Sequence, residues 1–188
     1  MPFSIELYFK SDFEQRIFHL WSVIQRENLP SRYSILKIRP HLTLAVFEKC
    51  AEEEVIRIVN SISQSFSGFE VEFPAVCVST FDPRSIFLMP SINKSIDSIR
   101  EVLIKRLIES KIELKDYYLP GRWLPHCTVS KKLSLDQSRR IMGICQNLDI
   151  GGNAEVIEIG FVHFNPRREI MNGSLTTLRK TTAPGIFH

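Results

Sequence analysis

A short pattern that occurs twice constrains the fold of this chain more than any other feature of its sequence. Residues 40–44 read Pro-His-Leu-Thr-Leu, and residues 125–129 read Pro-His-Cys-Thr-Val. Each copy lies in a segment whose alternating pattern predicts a β-strand, and the spacing of apolar residues after it predicts an amphipathic helix. The two histidines are 85 positions apart. A pattern that returns in the same structural context indicates an internal duplication.

The rest of the chain gives a similar order of elements in both halves. The predicted strands cover residues 3–9, 40–48, 69–80, 84–90, 124–131, 153–164 and 168–179. Four amphipathic helices fall between them, and we predict capping boxes at Ser11 with Glu14 and at Ser134 with Gln137, and a cap at Ser91. The order β-α-β-α-β followed by β-α-β-α-β-β favours one bilobed domain over residues 1–188. Its repeats cover approximately 1–82 and 83–188, and strands can be exchanged between the lobes.

Composition excludes several classes of protein. With 188 residues, 44% of them hydrophobic, the chain can bury a substantial core. The net charge of +3 is too small for wholesale binding of long nucleic acid. Four widely spaced cysteines form no disulfide framework and no metal-type spacing. Without a leader peptide or a run of about 18 apolar residues, we expect no membrane span and a cytoplasmic location.

The two patterns carry the chemistry of a phosphodiester reaction. Side chains alternate between the faces of a strand, so His41 shares a face with Thr43, and His126 shares a face with Thr128. If the two repeats face each other, one imidazole can remove a proton from the attacking oxygen while the other protonates the leaving oxygen. The threonine hydroxyls can donate hydrogen bonds to phosphate oxygens. This chemistry requires no metal or other cofactor.

With these paired motifs, the sequence resembles the two-histidine (2H) phosphoesterase superfamily, which includes 2′–5′ RNA ligase-like proteins and cyclic nucleotide phosphodiesterases. The resemblance extends over nearly the whole chain. It implies an α+β fold in which two antiparallel sheets, related by a pseudo-twofold duplication, carry outer helices around a central cleft. It also implies that His41 and His126 are the acid and the base, that Thr43 and Thr128 bind phosphate, and that the substrates are 2′,3′-cyclic phosphates or 2′–5′ linkages.

Other residues near the motifs are candidates for substrate binding. Many RNA ligase-like members follow the second motif with an apolar residue, a small residue and arginine, whereas this chain has Lys131 in that stretch. A lysine supplies positive charge as a compact point donor. Trp123 can stack on a base or anchor its loop. Arg167 and Arg168 fall in a predicted hairpin turn, where we expect solvated side chains.

The sequence therefore predicts a metal-independent phosphoesterase that acts on RNA or nucleotides through paired histidines. We expect short RNA ends or nucleotides as partners, no membrane association and a monomer. Two alternatives stay open. One is a binding module that holds an RNA end or a nucleotide without turnover, and the other is a phosphodiesterase for a small cyclic phosphate that is not RNA.

Overall fold

The computed structural model describes residues 2–31, 38–148, 150–164 and 166–176. Within these residues the chain forms eight strands, four α-helices and one short 3₁₀-helix. The strands are β1 (Phe3–Phe9), β2 (His41–Phe47), β3 (Phe69–Phe73), β4 (Ala75–Val78), β5 (Arg84–Met89), β6 (Cys127–Leu133), β7 (Gly152–Phe164) and β8 (Arg167–Ser174). The helices are α1 (Ser11–Arg26), α2 (Glu52–Ser65), α3 (Lys94–Glu109), α4 (Leu135–Asn147) and the 3₁₀-helix Asp116–Tyr118.

The strands form two antiparallel groups that meet at one point. The order across the sheet is β3-β7-β1-β2-β6-β5-β4, and β8 also pairs with β7. We call the group of β1, β2, β3, β7 and β8 the first half-sheet, and the group of β4, β5 and β6 the second. A single residue pair, Leu42 with Cys127, joins them through β2 and β6. The predicted α+β class with antiparallel sheets is confirmed.

The chain passes from the first half-sheet to the second at Pro74. The sequence predicts one strand over 69–80 with an edge or bulge at this proline. The structure has two strands instead, because β3 pairs with β7 in the first half-sheet and β4 pairs with β5 in the second. Proline has no N–H group to continue a hydrogen-bond ladder, so the change of partner falls where the ladder is already interrupted.

The helices cover the sheet with apolar stripes at the predicted spacing. In α1 the buried side chains are Phe13, Ile17, Leu20, Trp21 and Ile24. The predicted capping box of Ser134 and Gln137 is confirmed. The caps predicted at Ser11 and Ser91 are wrong: Lys10 precedes α1 without a side-chain cap, and Asn93 caps α3. None of the helices described here is long and apolar enough to cross a membrane.

The cap at α3 moves because Ser91 already has another partner. Its main-chain N–H donates to the carbonyl of Glu72, and its hydroxyl donates to the Glu72 carboxylate. The side chain of Asn93 is therefore left to accept from the N–H groups of Ser95 and Ile96. Asparagine ranks among the preferred N-cap residues.

A close approach at Gly160 fixes the position of Tyr8 in the first half-sheet. Gly160 lies opposite Glu6 of β1 and opposite Asn172 of β8. A Cβ atom on Gly160 would lie 2.5 Å from Cε2 of Tyr8 and would also collide with the Asn172 side chain. The ring of Tyr8 is fully buried, and its hydroxyl donates to Glu6 at 2.8 Å. A glycine at this position is therefore required for Tyr8 to lie across β7.

We predict that Gly160→Ala lowers the free energy of unfolding by about 1–3 kcal/mol, the usual effect of overpacking a buried site. The measurement is urea denaturation. Gly143→Ala is the matched control, because beyond the adjacent residues and the local backbone of α4 no heavy atom lies within 4 Å of a Cβ atom built at that position. Alanine favours a helix interior over glycine by about 0.5–1 kcal/mol, so the control should be more stable than the wild type. Equal stability of Gly160→Ala and the wild type would contradict this account.

Candidate active site

The two sequence motifs meet at the junction of the half-sheets. Leu42 and Cys127 are the middle residues of the His-x-Thr patterns, and they are the pair that joins β2 to β6. Both are buried in the core. Because side chains alternate along a strand, His41, Thr43, His126 and Thr128 all lie on the opposite side of the sheet. We call this side the motif face. The structure thus brings together the four residues that the sequence predicts.

A β-bulge follows each motif at the same place. Between β1 and β2 the register moves from Ile5–Ala45 to Glu6–Thr43, so Leu44 is the extra residue. Between β5 and β6 it moves from Ile86–Ser130 to Phe87–Thr128, so Val129 is the extra residue. Leu44 and Val129 are both fully buried. The matching bulges show that the pseudo-twofold relation extends to the local backbone around each threonine.

Both histidine rings are oriented by the same hydrogen bond. Nδ1 of His41 lies 2.7 Å from the main-chain oxygen of Arg39, and Nδ1 of His126 lies 2.9 Å from that of Leu124. A carbonyl oxygen only accepts, so each Nδ1 must carry the proton and donate it. Nε2 is then the nitrogen left for proton exchange in both rings. Such orientation by the second nitrogen is typical of catalytic histidines.

A buried carboxylate lies beside His41. Glu6 is fully buried, and its Oε1 lies 3.7 Å from Nε2 of His41. Burial raises the pKa of Glu6, but the charges of His41 and Arg167 and hydrogen bonds from Arg167 and Ser4 outweigh it and hold the pKa at about 2. Nη2 of Arg167 donates to Oε2 of Glu6 at 3.0 Å, and Oγ of Ser4 donates to Oε1 at 2.7 Å. The carboxylate is therefore charged at neutral pH.

The environment of Arg167 corrects one expectation from the sequence. We expected both Arg167 and Arg168 to be solvated in a hairpin turn. The Arg167 side chain is only 15% exposed and pairs with Glu6, whereas that of Arg168 is 56% exposed and pairs with Glu52. Pro166, which precedes β8, is exposed, but the side chain of Arg167 reaches from β8 across β7 to β1. Local sequence cannot predict this, because the contact joins residues that are 161 positions apart.

Two aromatic side chains lie beside Thr43. The indole N–H of Trp123 donates to the main-chain oxygen of Thr43 at 2.9 Å, and the guanidinium of Arg100 lies 4.4 Å from the centre of the Trp123 ring. Tyr118 lies near the Thr43 side chain, and burial raises the pKa of this tyrosine to about 12. These contacts give Trp123 an anchoring role. Its contact with substrate stays a prediction.

His126 lies in aromatic surroundings. The ring centres of Phe87 and Tyr117 lie 5.3 Å and 6.3 Å from that of His126. Burial lowers the pKa of His126, the hydrogen bond to Leu124 opposes this, and the positive charges of His41 and Lys131 lower it further. The charge effect of His41 on His126 also indicates that the two rings are near each other across the junction.

Lys131 reaches the motif face because of the bulge at Val129. Strict alternation would place residue 131 on the side opposite to Thr128. In the structure Phe87 pairs with Thr128 and Ser85 pairs with Lys131, and residues 85 and 87 lie on the same face of β5. The one-residue bulge therefore returns Lys131 to the side of the motif histidines. This agrees with its charge effect on His126.

The described residues show no arrangement suited to a cysteine nucleophile or to a metal centre. Cys127 is buried, and burial raises the pKa of its thiol to about 12, so this cysteine is a core residue. In the described part of the chain, no cluster of three or more histidine, cysteine, aspartate or glutamate side chains could hold a metal ion.

Two cavities lie away from the motif histidines. One of about 450 Å³ lies beside α3 and Trp123, and one of about 720 Å³ lies beside Lys115. Neither is lined by His41 or His126.

Comparison with known proteins agrees with this fold. The family model of the 2′-5′ RNA ligase superfamily matches residues 10–167. The chain belongs to this superfamily of two-histidine phosphoesterases, whose members are phosphoesterases and RNA ligase-like enzymes acting on RNA or nucleotides. The resemblance predicted from the paired motifs is therefore confirmed. A comparison with curated proteins gives no match.

Solved structures show the same fold at low sequence identity. Escherichia coli LigT, solved in complex with 3′-AMP, is 14% identical, with a TM-score of 0.60, and the match covers 94% of this chain and 98% of LigT. TT0787 of Thermus thermophilus is 13% identical, with a TM-score of 0.60, and the match covers 95% of this chain and all of TT0787. At these identities the likeness concerns the fold.

We predict that Arg167→Met lowers the free energy of unfolding by about 3–5 kcal/mol at pH 7, because it leaves the buried carboxylate of Glu6 without its cationic partner. Arg168→Met is the matched control. It breaks an exposed pair with Glu52, so the loss should be at most about 1 kcal/mol. Denaturant unfolding of the three proteins measures both effects. Similar losses for the two variants would contradict the assignment of Arg167 to a buried ion pair.

The stability that Arg167→Met loses should depend on pH, because it depends on the ionisation of Glu6. Its pKa falls from 4.5 to about 2 in the folded protein, so its ionisation contributes stability above pH 4.5 that is lost as the pH falls toward 2. The deficit of Arg167→Met should therefore be largest above pH 4.5 and should shrink at lower pH. A deficit that stays constant between pH 7 and pH 3 would contradict the charge argument.

Proposed function

We propose that this protein is a phosphoesterase that acts on 2′,3′-cyclic phosphates or 2′–5′ phosphodiester linkages, in short RNA ends or nucleotides, by paired acid–base catalysis of His41 and His126. The observation that carries the proposal is the matched orientation of the two rings. Each holds its Nδ1 proton on a main-chain oxygen two residues before it, which leaves Nε2 for the reaction. A ring that served only in packing would not need this arrangement twice around one junction.

The proposed hydrolysis balances through two proton transfers. A water molecule attacks phosphorus, and a neutral imidazole takes one of its protons while the new P–O bond forms. The bond between phosphorus and the ribose oxygen breaks, and the second imidazole, which is protonated, gives its proton to that oxygen. The products are a phosphomonoester and a ribose hydroxyl. The proton that the base has gained and the acid has lost is then exchanged through solvent, and no metal takes part.

The threonines and Lys131 are proposed to bind the phosphate. Hydroxyl donors from Thr43 and Thr128 approach it from the two half-sheets, where they can hold the charge that develops on the non-bridging oxygens. Trp123 supports this role, because its hydrogen bond holds the main chain of Thr43 in place. The ammonium group of Lys131 adds positive charge on the same face.

The ligands of a related fold support a nucleotide substrate. Escherichia coli LigT has been solved in complex with 3′-AMP, with NADP+ and with ATP. All three ligands contain a nucleoside and phosphate. Phe87 and Tyr117 on this chain offer aromatic surfaces beside His126, and stacking on aromatic rings is a common way to bind a base.

We predict that His41→Ala and His126→Ala each lower kcat/KM by about 10²–10⁴, because each removes one of two proton transfers. The assay measures opening of 2′,3′-cyclic nucleotides and cleavage of 2′–5′ dinucleotides with a chelator present. His19→Ala is the control, since His19 is an exposed histidine on α1. Wild-type activity in either motif variant would refute the assigned roles.

The same assay separates the alternatives. Tight nucleotide binding with no turnover over the substrate panel would favour the binding module. Equal turnover of a cyclic phosphate with and without a nucleobase would favour a substrate other than RNA. Preference for the substrate that carries a base is the result expected here.

We predict that Lys131→Ala lowers kcat/KM for a cyclic nucleotide roughly 10- to 100-fold, the size of one hydrogen bond to a charged group. Lys132→Ala is the matched control, because it removes the same charge from the neighbouring residue. Raising the salt concentration should weaken the wild type more than Lys131→Ala, since it screens the attraction that this variant lacks. Equal losses for the two variants would assign the effect to net charge instead of to Lys131.

A further inference from the structure

One register position breaks the pseudo-twofold relation of the site. Glu6 of β1 lies opposite Thr43, and Phe87 of β5 lies opposite Thr128. The neighbouring pairs also correspond, because Leu7 lies opposite Leu42 and Leu88 lies opposite Cys127. At these register positions the two motifs are therefore built alike, except that a carboxylate lies beside one histidine where an aromatic ring lies beside the other.

The carboxylate of Glu6 is built into the fold. It accepts from Ser4 at 2.7 Å, from the hydroxyl of Tyr8 at 2.8 Å and from Arg167 at 3.0 Å. It has no exposed surface. A buried charge with three hydrogen-bond donors is held in one position, so its distance of 3.7 Å from Nε2 of His41 is also fixed.

The other charged groups near His41 leave the region negative. Arg39 lies over the ring of Tyr8 at 4.4 Å, but it pairs with both Glu14 and Glu158. Arg167 pairs with Glu6, and Glu169 of β8 acts on both Arg167 and Tyr8. Two guanidinium groups therefore face four carboxylates. Tyr8 and Tyr118 stay neutral at physiological pH because burial raises the pKa of both.

The surroundings of His126 have the opposite character. Its neighbours include the rings of Phe87 and Tyr117, and the two charged groups that act on it, His41 and Lys131, are both cationic. Burial and these charges lower the pKa of His126. An apolar, cationic environment favours the neutral imidazole.

We propose that Glu6 is a positioning residue that sets the direction of proton transfer: it holds His41 in the protonated form as the general acid and leaves His126 as the neutral general base. This inference rests on the proposed function. In hydrolysis, His126 then takes the proton from the attacking water, and His41 gives its proton to the leaving ribose oxygen as the P–O bond breaks. Each turnover ends with His126 protonated and His41 neutral, and solvent exchange restores both.

The first experiment measures protonation of the wild-type protein without substrate. NMR of the histidine Cε1–H groups gives the pH at which each ring loses its proton, and the His41→Ala and His126→Ala variants assign the two signals. We expect His126 to lose its proton at a lower pH than His41. The reverse order, or the same midpoint for both rings, would overturn the inference.

The second experiment is the pH profile of kcat/KM for a 2′,3′-cyclic nucleotide. The acid limb reports protonation of the base, and the alkaline limb reports loss of the proton from the acid. Removing an opposite charge within about 4–6 Å shifts a titration by about 1–3 pH units. Glu6→Gln should therefore move the alkaline limb down by about that amount and leave the acid limb in place. A shift of the acid limb, or no shift, would overturn the inference.

Glu158→Gln is the matched control, because it is the same substitution in the same network, but its carboxylate pairs with Arg39 instead of lying beside His41. Both limbs should stay within a few tenths of a pH unit of the wild type. A shift in Glu158→Gln as large as that in Glu6→Gln would assign the effect to general charge and overturn the specific role of Glu6. If Glu6→Gln does not fold, the double variant Glu6→Gln with Arg167→Gln removes both charges of the buried pair. Its alkaline limb should move in the same direction by a smaller amount, because the lost charge of Arg167 opposes the lost charge of Glu6, and no shift would overturn the inference.

The two proposals can fail separately. Absence of turnover on every cyclic or 2′–5′ substrate, together with the expected order of proton loss, would overturn the proposed function and keep the charge asymmetry. Turnover that depends on both histidines, together with the reverse order, would keep the function and overturn the role of Glu6.

Discussion

A single antiparallel contact between Leu42 and Cys127 determines the geometry of the whole site. These residues are the centres of two matching motifs, and their pairing joins two half-sheets that are otherwise separate in strand order. Because both side chains enter the core, the flanking histidines and threonines must lie together on the other side of the sheet. The site therefore needs no long loop to assemble it. Its accuracy follows from packing of the core beneath it.

The sequence predicts the repeated part of this arrangement well. Strand alternation places His41 with Thr43 and His126 with Thr128, and the structure brings both pairs to one face. Alternation alone fails at Lys131, because the bulge at Val129 reverses the parity of the two residues that follow it, and a second bulge at Lys132 restores it. A bulge depends on how the partner strand is paired, so the sequence of one strand does not reveal it.

Long-range contacts explain the other differences. Ser4, Glu6 and Tyr8 alternate with apolar residues along β1, so the sequence carries a polar face in this strand. Its importance becomes visible only when β2 provides His41 on one side and β8 provides Arg167 from far along the chain. Likewise, the change of partner at Pro74 requires knowledge of both half-sheets. Local patterns thus predict elements and faces, whereas the charge network depends on topology.

In a duplicated site, two equivalent histidines are poorly suited to opposite tasks. An acid–base reaction needs one imidazole protonated and the other neutral at the same time. If the two rings were equivalent, a single proton would be found on either ring with equal probability. Only half of the singly protonated molecules would then have the acid and the base in the positions that hydrolysis needs. Replacing an aromatic neighbour by a buried carboxylate at one register position removes this equivalence without changing the backbone. In the proposed mechanism, the asymmetry between Glu6 and Phe87 therefore gives a symmetric scaffold a chemical direction.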